Sequence, residues 1–175
     1  MKNKCILFCL FLLSTACSNR REELFIKKYT AVNPVSYTDV IYLGLRDTVL
    51  VSTYSGRIAK RIKGFPKEIV VSQLGNEVSS LAYNAQTKVI AASTHEGGIM
   101  LINERNGKVL KTIKLNSTWS NFIIFSDDFK YLSALDQKGN SHLWHASAGY
   151  EEISLPPDFP KGIIRSIDKE QVATI

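Results

Sequence analysis

The chain has 175 residues, enough for one domain with an apolar core. It is 45% hydrophobic and 22% charged, which excludes a disordered polypeptide. Lys and Arg total 22 against 16 Asp and Glu, a net charge of +6 that falls to +4 without Lys2 and Lys4. This mild bias is not the clustered basic face that nucleic acid requires, so nucleic acid is not an expected partner.

Met1–Lys4 is a short basic start, and Cys5–Leu13 is an unbroken apolar run. Nine helical residues rise about 14 Å, roughly half a bilayer core, so the run is too short to span a membrane. A basic start followed by a short apolar run reads as a secretory signal. It ends in "LLSTAC", where the small Ala16 suits a peptidase and Cys17 follows at once. This segment resembles the lipobox of bacterial lipoproteins. The resemblance implies a signal peptide over residues 1–16 and lipidation of Cys17 by acyl chains such as palmitate. It implies attachment to a membrane of the cell envelope, and Ser18 in place of Asp resembles the outer-membrane default, facing the periplasm. Two or three acyl chains anchor a protein stably where one does not. Cys5 and Cys9 would be discarded and Cys17 lipidated, so no thiol would remain for a disulfide, a metal or a nucleophile. Residues 17–35 are expected as a tether, with a leading outer strand over Glu23–Ala31.

From residue 36 onward, short β-branched and aromatic runs alternate with Gly, Asn and Asp turns: "DVIYLG", "TVLVSTYSG", "KVIAAST", "GIMLIN", "KVLKTIKL", "NFIIFSDD", "KYLSALDQKG". Many short strands at even spacing predict an all-β sandwich, barrel or propeller. A long period selects among these. Ser80–Asn103 aligns without a gap on Phe122–His145, offset by 42 residues; Gly97 falls on Gly139, Ala92 on Ala134, Tyr83 on Phe125 and Ile102 on Trp144. Tyr37–Ile62 repeats the same strand, turn, strand, glycine, strand rhythm, and Gly162–Ile175 supplies the first two strands of a further unit. "VIYLGL" and "FIIF" do not alternate cleanly, as expected of sheets covered on both faces. A unit of this kind cannot bury both faces alone, so the units stack.

A unit of about 42 residues carrying "FSDDFKYLSALDQKGNSHLWH" resembles the WD repeat of β-propellers. The Gly-His pair of that family is absent, and its Trp-Asp pair appears as Trp144-His145 and as Ile102-Asn103. The resemblance implies antiparallel four-stranded blades at about 37–74, 78–115 and 119–155, with a partial blade at 162–175. About three and a half blades make a partial or truncated propeller, with open sheet edges that favour self-association.

Chemistry is sparse. His142 and His145 stand at i and i+3 on one strand, so they point to opposite faces and do not converge on an ion. His95 belongs to the loop "STHEGG". The pairs Asp127–Asp128, Glu151–Glu152 and Glu22–Glu23 diverge on turns or strands, and Asp127–Asp128 suits the turn after a first strand. Lys60, Arg61, Lys63, Lys67, Lys108, Lys111 and Lys114 read as solvated outer-rim faces, with anionic lipid or an acidic partner as the alternative. Trp119, Tyr37 and Phe122, at the starts of first strands, are expected in the core. No catalytic, metal or cofactor-binding set is expected. The expected role is a non-catalytic protein-binding scaffold with an unidentified protein partner. A quinoprotein-like or lactonase-like enzyme fragment, and a non-functional remnant of a longer propeller protein, remain open.

Overall fold

The computed structural model describes residues 36–44, 47–96, 98–116 and 119–159, and the strands 164–167 and 172–174. All lie in one compact unit, Ser36–Ile175. Cys17, Glu22–Glu23 and the expected strand Glu23–Ala31 lie outside the described residues, as does Gly97.

Three four-stranded sheets follow one another along the chain. The first contains β1 (Tyr37–Tyr42), β2 (Thr48–Thr53), β3 (Arg57–Ile62) and β4 (Ile69–Gln73). The second contains β5 (Val78–Asn84), β6 (Val89–Thr94), β7 (Gly98–Asn103) and β8 (Val109–Lys114). The third contains β9 (Ser120–Phe125), β10 (Tyr131–Asp136), β11 (Ser141–His145) and β12 (Glu151–Glu152). Each is an antiparallel meander in chain order. A two-stranded sheet, β13 (Ile164–Ile167) and β14 (Val172–Thr174), comes last. The first strands β1, β5 and β9 lie side by side and form the hub, while β4, β8 and β12 form the rim. This is the all-β, partial propeller of four-stranded blades that the repeat predicts.

Glycine sets the tight turns. Gly56 and Gly139 close the second turn of their blades at φ 79°, with N–H groups donating to Thr53 and Asp136 carbonyls. That left-handed conformation costs glycine little and other residues more. At Gly56 a Cβ would also run into the Asn76 carbonyl oxygen.

A register shift recurs at the same place in every first hairpin. It falls between Tyr37 and Asp39, between Val78 and Ser80, between Leu135 and Asp136 opposite Ser120–Phe122, and between Ile164 and Ser166. A bulge bends and twists the strand that carries it. Its recurrence identifies β13–β14 as the inner hairpin of a fourth blade and fixes equivalent positions without alignment. Val40, Leu81 and Ile123 are one position, facing Val51, Ala92 and Ala134; Tyr42, Tyr83 and Phe125 are another, facing Val49, Ile90 and Leu132.

The core lies between blades. Leu50 and Ile58 of the first blade pack against Leu81, Ile90, Ala92 and Ile102 of the second. Ala91, Ile99, Leu101 and Ile113 on the other face of the second pack against Ile123, Phe125, Leu132 and Trp144 of the third. β6 is buried along its whole length, the consequence of having a neighbour on each side. The end blades differ from the two-faced burial that "VIYLGL" and "FIIF" suggest. Val40 and Tyr42 on β1, and Phe122 on β9, are exposed. Phe122 is thus not in the core, because its side chain faces away from the second blade.

The rim of the third blade also departs from the repeat. The last strand of the blade expected at 119–155 is reduced to two residues, after a 3-10 turn at Ala146–Ala148 and left-handed residues at Gly149 and Tyr150. Tyr150 turns inward and meets the Phe125 ring edge-on at 6.5 Å. Beyond Ile153, whose N–H reaches the Leu143 carbonyl, Pro156 and Pro157 offer no donors to continue the ladder.

Candidate functional site

An innermost strand pairs on one side only, so its other edge presents unpaired N–H groups toward the hub. Here side chains of the preceding blade meet them. The Leu81 N–H donates to Asp39 Oδ2 at 2.7 Å. The Ile123 N–H donates to Ser80 Oγ at 3.3 Å. Asp39 and Ser80 are equivalent, facing Ser52 and Ser93 across their hairpins. The Ser79 and Ser93 hydroxyls both donate to the Ser120 carbonyl at 2.8 Å. Asn84, buried, donates to the Phe129 carbonyl at 3.2 Å while its own oxygen accepts from Gln86 and Thr87.

A second set of links joins the blades farther out. Lys60 of the first blade is ion-paired to Glu104 of the second, which also accepts from the Tyr83 hydroxyl at 2.7 Å. Burial pushes the Glu104 carboxyl up, but the bonds from Lys60 and Tyr83 and the charges of Lys60 and Lys88 outweigh it and hold it below the usual range. Burial and the same carboxylate push the Tyr83 phenol up. Lys111 donates to the Gly149 carbonyl at 2.6 Å, and Ser72 to the Gly107 carbonyl at 3.0 Å. Arg61 donates to the Tyr37 hydroxyl and lies 3.9 Å from Glu68. With Lys63 3.4 Å from Asp47, four of the seven basic residues read as solvated rim are tied to other groups, two of them across a blade boundary.

With Asp39 and Ser80 engaged in this way, the hub is left with apolar walls. A cavity of about 810 Å³ runs along β1, β5 and β9. Its walls include Ile41, Tyr42, Leu43, Leu81, Phe122 and Phe129. Tyr42 is 65% exposed and Phe122 62%. The shape and lining suit an apolar or aromatic group from a partner. Asp127 reaches its margin, whereas Asp128 closes the turn, accepting from the Ser126 hydroxyl at 2.7 Å and the Lys130 N–H at 3.1 Å. The Ser126 hydroxyl, then the Lys130 N–H, bring the Asp128 carboxyl down to about 2.

The histidines lie away from this cavity. His142 stacks on Trp144 at 5.8 Å, with Nε2 3.3 Å from Asp136 Oδ2 and Nδ1 3.7 Å from Glu152. Burial pushes the Asp136 carboxyl up, but bonds from Asn140, His142 and Lys138 hold it below its ordinary value. His145 meets the Tyr131 ring edge-on at 5.0 Å and the Ser147 hydroxyl at 3.1 Å. The two side chains thus have separate partners on opposite faces. His95 lies over Trp119 at 3.9 Å and 3.5 Å from Glu77. Glu151 and Glu152 are exposed on β12. Among the described residues, no group of three His, Cys, Asp or Glu side chains is placed to hold a metal ion. The hub stitches were not legible in the sequence, since a lone Asp39 and scattered serines carry no spacing signal until register sets them opposite the next strand.

Residues 47–128 match the family model of the anaphase-promoting complex subunit 4 WD40 domain. No curated protein sequence matches the chain. Among solved structures, that of U3-55K superimposes with a TM-score of 0.61 at 12% identity, covering 70% of this chain and 39% of that one. The RRP9 WD40 repeats give 0.59 at 12% identity, with the same coverage. The chain thus spans about two fifths of the length of the solved chains it resembles. The described residues thus share the fold of the WD40 propellers, with three four-stranded blades and a further two-stranded hairpin, and residues 47–128 are similar to the WD40 family model.

Proposed function

We propose that this chain is a non-catalytic protein-binding scaffold, held at a membrane of the bacterial cell envelope through acyl chains on Cys17. The observation that carries the binding reading is the hub. Asp39 and Ser80 are engaged in joining blades, while Tyr42 and Phe122 stand open on a mostly apolar wall. Exposed aromatic residues beside a concave apolar surface are what protein interfaces use as anchors. The "LLSTAC" segment supports the anchor, and Ser18 in place of Asp supports an outer-membrane position facing the periplasm. A photo-crosslinking amino acid at position 42 or 122 tests the binding reading in cells. Discrete adducts at both positions, lost when Phe122 or Tyr42 respectively is changed to Asp, are expected; no adduct at either would overturn it. Labelled fatty acid tests the anchor: Cys17→Ser abolishes incorporation, and unchanged labelling refutes lipidation at that residue.

A further inference from the structure

Away from the hub, a second group of large apolar side chains stands open on the rim of the first two blades. These are Phe65, Ile69, Val70, Val109 and Leu110, each 47–62% exposed. Ile69 and Val70 open β4, and Val109 and Leu110 open β8. Phe65 stands on the turn that leads into β4, its N–H donating to the Ile62 carbonyl. The two pairs belong to one surface, because the turn before β8 is seated on β4. The Ser72 hydroxyl donates to the Gly107 carbonyl at 3.0 Å, and a Cβ at Gly107 would run into the Val71 carbonyl. The third blade marks where the patch ends, since β12 consists of the exposed Glu151 and Glu152 in place of an apolar pair.

Basic side chains frame the apolar ones. Residues 63–73 and 105–116 carry six basic side chains and one acidic, a net of +5. The acidic one, Glu68, turns to Arg57 at 3.1 Å and accepts from the Tyr37 hydroxyl. The neighbouring Asp47 and Glu104 are paired with Lys63 and Lys60, and Lys111 bonds to the Gly149 carbonyl. Lys67, Arg105, Lys108 and Lys114 are exposed and meet no carboxylate among the described residues. The stretch "KGFPK" sets Phe65 between Lys63 and Lys67 on one exposed turn.

Lysine alone blunts the edge of a sheet, but apolar pairs beside it undo that protection unless something covers them. Further blades would not, because they extend a ring around the hub, whereas β4 and β8 face outward from it. The cores of protein interfaces are poor in lysine. A bilayer with anionic headgroups takes both halves of the pattern. Apolar side chains enter the headgroup boundary, while lysine stems let their ammonium groups reach the phosphates. We propose that the rim of the first two blades lies on the surface of an anionic lipid bilayer, with Phe65, Ile69–Val70 and Val109–Leu110 at headgroup depth. The contact is separate from the hub, which stays open to a partner. It rests on the anchor reading only in that a tether holds the patch close to a membrane.

The test is tryptophan quenching in the full chain by vesicles whose acyl chains carry bromine. Tryptophan replaces Phe65 or Leu110 on the patch, or Tyr54, exposed at the other end of β3. Each is read as the difference from the unsubstituted chain, which already has Trp119 and Trp144. With phosphatidylethanolamine and phosphatidylglycerol, quenching at 65 and 110 is expected to exceed that at 54 by about threefold or more. It falls by about half or more with phosphatidylcholine alone or at high salt. Lys108→Glu lowers it, whereas Lys138→Glu, the same charge change on a turn of the third blade, does not. Val70→Ser/Val109→Ser, at exposed positions, lowers quenching at 65 while circular dichroism stays unchanged. Equal quenching at 54 overturns the proposal, as does quenching indifferent to lipid charge. No quenching at 65 and 110, the result expected if an acidic protein covers the rim, overturns it too. Fatty-acid labelling at Cys17 reads the anchor alone, so the two readings fail separately.

Discussion

Asp39 holds two N–H groups, that of Val40 in its own strand and that of Leu81 in the next blade, both at 2.7 Å. Replacing it with Ala removes an ionised acceptor from an edge that no other strand pairs. Charge-assisted hydrogen bonds contribute about 1.5–3 kcal/mol, and partial exposure places Asp39→Ala toward the lower end. Urea unfolding of the Asp39→Ala chain measures this, and Asn should restore much of the loss. Glu104 gives a pH dependence whose sign follows from its depressed pKa. A carboxylate bound more tightly as the anion in the folded state contributes stability above its unfolded pKa of about 4.3, and that contribution disappears as pH falls through the lower folded value. Urea midpoints should hold from neutral pH down to about 5 and fall below it. Glu104→Gln should flatten that fall and lower the neutral midpoint, since the Lys60 ammonium loses its counter-charge. Trp144, buried against the second blade, is worth about 3–5 kcal/mol on truncation to Ala by the same measurement. The pairing of Trp144 with Ile102 was legible from the 42-residue offset. The use made of His142 was not, because its partners Asp136 and Glu152 come from the neighbouring strands.

At the scale of strands and turns, the period was enough to place the sheets, since each unit repeats the same apolar runs and turn residues. It was not enough for the rim of the third blade. Tyr150 and the two prolines after Leu155 change the course of the backbone without disturbing the apolar pattern that suggested a strand. Nor does a hydropathy pattern tell whether a strand has one neighbour or two, which is why Phe122 read as core. Two glycines separate conformational cost from contact cost. Gly64 and Gly107 both have positive φ, but a Cβ at Gly64 meets nothing within 4 Å, whereas at Gly107 it meets the Val71 backbone of the first blade. Gly64→Ala should cost about 1 kcal/mol from the backbone alone. Gly107→Ala should cost clearly more and loosen the first blade from the second, read as faster amide exchange in β4.

Over the described residues, the main contacts between sheets are with neighbours in sequence, so stability is close to a sum of blade and boundary contributions. The boundaries are unequal. Asp39 and Ser80 reach forward to the next hub strand; the same position in the third blade is Phe122, facing Leu135, which cannot accept a hydrogen bond. Amide exchange should accordingly be slowest in β6 and β7, and faster in β13–β14 than in any other inner hairpin.

The forward reach of Asp39 and Ser80 gives the array a direction in time. In each case the acceptor belongs to the earlier blade and the donor to the later one. A chain that enters a compartment N-terminus first displays a completed acceptor before the strand that needs it has arrived. Each finished unit then acts as the template for its successor, so order of emergence and order of assembly coincide. A chain permuted to begin at the second blade would have the same contacts in its final state but would lose that sequence of events.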